Sequence, residues 1–166
     1  MASLPERLSN SVVQSKAAGE IIAALNRQLG IALSPRPCRI RLTTGAYVEV
    51  DAATADEKVV AEAYARQGRL KGAQPKKIAQ DILKLALLKR EAGREETQTI
   101  IALASVEALD SISGWLRDAA HAFEVELRVV EIPDELRAKI RAAQARQVMV
   151  NLDYVADDLG VSEDPP

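Results

Sequence analysis

Three short runs of alternating apolar and polar residues stand close together between Arg39 and Arg66, and they leave few folds open to the chain. Arg39–Thr43 sets Ile40 and Leu42 against Arg39 and Arg41. Tyr47–Asp51 sets Val48 and Val50 against Tyr47, Glu49 and Asp51. Val59–Ala65 puts Val60, Glu62 and Tyr64 on one face, which Arg66 continues. A period of two belongs to a pleated strand with one face buried. Gly45 and Thr54–Asp56 supply the turns between the runs. Three consecutive strands with short connections predict a meander.

Beyond them the period changes. A glycine-containing basic loop, Gly68–Gln74, leads to Pro75, placed where the first turn of a helix tolerates proline. The spacing predicts a helix over Pro75–Glu91 that buries Ile78, Ala79, Ile82, Leu83, Leu85 and Ala86 and gathers Lys76, Lys77, Gln80, Asp81 and Lys84 on its polar face. Gly93 follows as its stop. Thr97–Ala104 is apolar enough for a central strand. Ser105–Phe123 reads as helix, interrupted at Ser113-Gly114, and Glu124–Ile132 as a further strand. Pro133-Asp134 open a last helix to about Gln147, with Asp134 as candidate N-cap. Upstream, Ser15–Leu29 carries Val13, Ala17, Ile21, Ala24, Leu25 and Leu29 on one helical face, and Gly30 is placed as its stop. Strand–helix–strand order predicts parallel crossovers. The expected fold class is therefore α/β: a single-domain mixed β-sheet with helices on both faces, an α-β-β-β-α-β core with an α-β-α extension. Residues 1–14 form a lead-in, 15–150 the domain and 151–166 an acidic, proline-terminated tail.

Composition narrows the function. Of the 166 residues, 48% are hydrophobic, enough for a core and too many for a disordered chain. The lone cysteine, Cys38, rules out an internal disulfide and suits a reducing compartment. No apolar signal core or membrane-length run is present, so a soluble, cytoplasmic protein without a membrane partner is expected. The net charge of -2 hides an asymmetry: Arg36–Arg90 holds twelve basic residues against six acidic ones, and the chain ends acidic. A local basic excess suits a phosphate-bearing partner. Aromatic residues make up only 3% of the chain, which disfavours recognition of single strands by stacking.

Two carboxylates stand out. Asp51 and Glu62 fall on neighbouring predicted strands, and Glu62 lies between Ala61 and Ala63, where an unpaired carboxylate costs several kcal/mol, roughly. Cleaving a phosphodiester needs an activated water and a sink for negative charge, which a metal on a few carboxylates and a nearby lysine supply. Magnesium takes hard oxygen ligands and keeps several waters, so two carboxylates suffice. Lys77 or Lys84, from the following helix, are the candidate catalytic lysines, while Arg69, Lys71 and Lys76 are candidate phosphate contacts. Glu49 shares Asp51's face and competes with it. Trp115 and Phe123 are expected in the core, and His121, the sole histidine, at the surface.

The order α-β-β-β-α-β, with Asp51 on the second strand and Glu62 on the third, resembles the PD-(D/E)XK nuclease superfamily, the restriction-endonuclease-like fold, over roughly Lys16–Ala104. The resemblance implies a Mg2+- or Mn2+-dependent deoxyribonuclease with metal ligands Asp51 and Glu62, a further glutamate from the first helix (Glu20) and DNA as partner. The pattern departs at two positions: Val50 replaces the proline, and Tyr64 stands where the lysine would be, so that Lys77 or Lys84 would have to substitute. The departure at Tyr64 leaves open a catalytically degenerate member that binds nucleic acid or serves as an accessory protein in a complex. The acidic tail leaves open an unrelated interaction module. A homodimer or larger complex is compatible with either.

Overall fold

The structure, a computed structural model, describes residues 4–158, and side-chain surroundings for 12–146. In chain order its elements are α1 (Leu4–Leu29), β1 (Cys38–Arg41), β2 (Tyr47–Val50), β3 (Ala52–Ala53), β4 (Val59–Tyr64), α2 (Gln74–Arg90), β5 (Gln98–Leu103), α3 (Val106–Ser111), α4 (Trp115–Ala122), β6 (Val125–Val129) and α5 (Asp134–Asp158). The expected α/β class, with a mixed sheet and helices on both faces, is what the chain adopts. Two helices are longer than their apolar stripes suggest. α1 starts at Leu4, ahead of Ser15. α5 runs through Asn151–Asp158, which was expected as tail; the remainder of that tail lies outside the described residues. No described helix is long and apolar enough to cross a membrane.

The expected three-strand meander is divided. β1 and β2 form an antiparallel hairpin of their own, with Ile40 opposite Val48. The chain then bends at Asp51, and two residues, Ala52 and Ala53, pair antiparallel with Ala61 and Val60 of β4. The main sheet has the order β3-β4-β5-β6, and the β4–β5 and β5–β6 pairs are parallel.

Side-chain alternation along β4 and β5 builds two cores. Val60, Ile101 and Leu103 face α2, α3 and α4, where they pack with Ile78, Ile82, Leu85 and Leu88, roofed by Ile40, Val48 and Val50 of the hairpin. Ala61, Ile100 and Ala102 face the other way, against Ala17, Ile21 and Leu25 of α1 and Leu136 and Ile140 of α5. Alanines dominate this second face of the sheet, so α1 approaches the strands closely. Each large apolar side chain buried here contributes roughly 1.5–3 kcal/mol.

Three apolar residues expected in the core are not in it. Leu83 is 67% and Trp115 72% exposed, and Phe123 is also exposed. α2 is rotated so that Ile78, Asp81, Ile82, Leu85 and Leu88 form its buried stripe, and Leu83 falls off that stripe. α4 buries Leu116 and Ala120. Trp115 is its first residue, directly after Gly114, which turns the chain at φ +57°.

Ser105 ends the turn after β5 and caps α3. Its Oγ accepts the N–H groups of Ala108 (3.3 Å) and Gly68 (3.2 Å) and donates to Glu107 Oε2 (2.5 Å). Ser105 is 1% exposed, so its alanine variant leaves two N–H groups without their acceptor. Ser105→Ala is expected to cost about 1–2 kcal/mol in urea denaturation.

Candidate functional site

The bend at Asp51 builds the site. Continuing the Ala52–Ala61 register would bring Val50 opposite Ala63. β2 leaves the sheet instead, and the Ala63 N–H donates to Asp51 Oδ2 at 2.8 Å. The carboxylate thus replaces a lost ladder acceptor, which holds it beside β4 at the point where Glu62 projects toward α2.

Glu62 is 3% exposed and lies on the α2 side of the sheet. Two side chains from α2 meet it. Lys84 Nζ is 2.6 Å from Glu62 Oε1 and 3.4 Å from Asp81 Oδ1. Asp81, 4% exposed, is also gripped by Lys77, whose Nζ donates to Oδ1 at 2.5 Å and to Oδ2 at 2.7 Å. The Lys84–Glu62 contact is an ion pair whose angles fall outside those of a hydrogen bond, so Oε1 is buried without a hydrogen-bond donor among the described residues.

Burial, helped by the negative charges of Asp51 and Asp81 and opposed by Lys84, pushes the Glu62 carboxyl up to about 8. Burial works against the Lys84 ammonium, but its contacts with Glu62 and Asp81 outweigh this and its pKa is raised. The rise on Lys84 draws partly on an ionised Glu62, which burial disfavours. Tyr64, two residues along the same face, has its phenol pushed up to about 12 by burial.

The raised Glu62 pKa has a sign consequence. Between the ordinary glutamate value of 4.5 and about 8, the folded state holds a proton that the unfolded state has released. Stability from this group is complete below 4.5 and declines as pH rises through 8, by on the order of a few kcal/mol. Glu62→Gln, which cannot ionise, is expected to be the more stable chain at pH 9 and to lose its advantage toward pH 4. Parallel denaturation curves for the two proteins across that range would contradict this.

Beside the cluster lies a cleft of about 700 Å3 between α1, α5 and the end of β4. Asp51, Tyr64, Arg66 and Lys77 line it, as does Arg36 from the Pro35–Pro37 turn. The α5 wall is tied to the strand end by one side chain. The Gln67 N–H donates to Gln144 Oε1 (2.8 Å), and Gln144 Nε2 donates to the Gln67 carbonyl (3.1 Å). Glu62, Asp81 and Lys84 do not line the cleft; they lie behind Asp51 and Lys77.

The structure thus gathers Asp51, Glu62, Lys77 and Lys84 and leaves others apart. Glu20, half-buried on α1, neither lines the cleft nor pairs with the cluster. Arg69, Lys71 and Lys76 are exposed on the loop and first turn of α2. Glu49 pairs with Arg39 across the hairpin at 3.6 Å, out in solvent. His121 is exposed. Asp81 was expected on a solvated helix face. It stands three residues after Ile78 and four before Leu85, which places it on the buried stripe. Arg36 and Arg66 had no distinguishing signal beyond their charge.

Among the described residues no three His, Cys, Asp or Glu side chains are grouped to hold a metal ion. The donors beside β4 are two, Asp51 and Glu62, and Glu62 Oε1 faces the Lys84 ammonium at 2.6 Å. Two carboxylates would suit only a hard cation that keeps most of its waters, and Glu62 would have to give up the Lys84 ammonium to hold it. No family model matches the chain, and no curated protein or solved structure is significantly similar to it.

Proposed function

We propose that this chain is a metal-dependent nuclease of the restriction-endonuclease-like type, hydrolysing phosphodiester bonds in DNA. The observation that carries the reading is the convergence of Asp51, Glu62 and the Lys84 ammonium where β2 departs from the sheet, next to a cleft lined by Arg36, Arg66 and Lys77. Mg2+ or Mn2+ held by Asp51 and Glu62 would polarise a phosphoryl oxygen and acidify a bound water. The chain's own part is electrostatic. Asp51 is positioned by the Ala63 N–H. Asp81 holds both α2 lysines in place, so that Lys84 takes the place of the lysine that Tyr64 lacks. Arg36, Arg66 and Lys77 attract the phosphate backbone. Purified protein is expected to cut linear DNA with added Mg2+ or Mn2+ and to stop when EDTA is added. No cleavage of duplex, single-stranded or RNA substrates with either metal would overturn the reading.

One observation favours a second reading, a degenerate member of the same fold that binds nucleic acid without cutting it. Glu62 is buried behind Asp51, and Lys84 already neutralises it. On that reading the buried charges are structural and the basic cleft remains the binding surface. Its signature is binding that weakens as salt rises, with no turnover.

A further inference from the structure

The cleft between α1 and α5 has a chemistry of its own. Most of its wall is apolar, contributed by Val13, Ala17 and Ile22 of α1 and by Ile140 and Ala143 of α5. Among the described residues three cationic side chains, Arg36, Arg66 and Lys77, line it against one acid, Asp51. Lys77 is committed to Asp81. Arg36 and Arg66 make no ion pair among the described residues, and Arg66 Nε is buried with no hydrogen-bond acceptor. A buried guanidinium N–H without an acceptor costs the full desolvation of that group, and an anion seated against it would remove the cost.

Size selects the ligand further. Pockets of about 300–1,000 Å3 enclose small molecules, and an intact duplex cannot enter one. A single nucleotide can: its phosphate meets the arginines and its base and sugar meet the apolar wall. We infer that this cleft takes one nucleotide unit, at a strand end or turned out of a helix, with its phosphate on Arg66 and Arg36 beside Asp51. The inference deepens the nuclease reading and takes the polynucleotide from it. Enzymes that act on a base or a terminal nucleotide commonly take that unit out of the stack into such a pocket.

The test is binding without cleavage. Thymidine 5′-monophosphate, thymidine and inorganic phosphate are titrated into the full chain in EDTA, followed by calorimetry. The monophosphate is expected to bind at least about tenfold tighter than either fragment, since both halves of the cleft are engaged. Arg66→Gln is expected to weaken it about tenfold or more. Arg36→Gln, at an exposed turn where folding is not at stake, acts in the same direction. Monophosphate no tighter than thymidine would remove the anion site, and monophosphate no tighter than phosphate would remove the nucleotide. Undiminished binding in both arginine variants would overturn the assignment. Because metal and catalysis play no part, a chain that binds the monophosphate but cuts nothing would defeat the nuclease reading alone.

Discussion

Lys84→Met is expected to destabilise the fold by about 2–3 kcal/mol at about pH 10, where a Glu62 carboxyl pushed up to about 8 is ionised. Lys84 stands 2.6 Å from Glu62 and 3.4 Å from Asp81, two carboxylates that are each less than 5% exposed. Methionine keeps the length of the side chain and much of its packing but removes the charge. Asp81 retains Lys77, whereas Glu62 retains no cationic partner among the described residues. Glu62 then escapes only by staying protonated, so the loss should shrink as pH falls toward 5, where a neutral carboxyl needs no counter-ion. Adding Glu62→Gln to Lys84→Met should recover most of the stability, as expected for partners in one network. Urea denaturation of the three variants at two pH values measures all of this. A cost under about 1 kcal/mol at pH 10 would show that Lys84 is not the counter-charge of Glu62.

The second large effect is on activity. Asp51→Asn is expected to reduce Mg2+-dependent DNA cleavage by more than about a hundredfold while leaving the fold intact. Groups that only orient a metal ligand cost about 10–100-fold when removed, and a direct ligand should cost more. The substitution isolates charge from structure, since asparagine Oδ1 can still accept the Ala63 N–H that Asp51 Oδ2 now takes at 2.8 Å. Circular dichroism and denaturation curves should therefore match the parent, with Glu62 titrating lower because one of the negative charges raising its pKa has gone. Cleavage within a few-fold of the parent would rule Asp51 out as a metal ligand. A collapse of stability would instead assign it to the bend alone.

Much of the architecture was open to reading from periodicity. The alternation in Arg39–Arg66, the helix after Pro75 and the strand at Thr97–Ala104 all appear where their patterns put them, because a period of two or of 3.6 is the direct imprint of one buried face. Glu62 was noticeable because it lies between Ala61 and Ala63, in a strand that reads as buried. Asp81 was missed because a single acid in a stripe of Ile78, Ile82 and Leu85 is outvoted by the charged residues on either side of it. Trp115 was misplaced because hydrophobicity alone does not say which way a residue beside a tight glycine turn will face.

Local pattern determined that this chain makes strands, helices and a two-sided core, and that Asp51 and Glu62 fall on consecutive extended segments. Only the tertiary structure decided that the second segment breaks at Asp51, that α2 turns Asp81 and Lys84 inward to meet Glu62, and that α1 and α5 leave a basic cleft in front of them. The reason is one of range. A repeating pattern reports which face of each element is buried, because every residue of the element contributes to it. The rotation of one helix against a sheet and the departure of one strand from its ladder depend on a few contacts between residues distant in the chain, and no short stretch of sequence contains both partners.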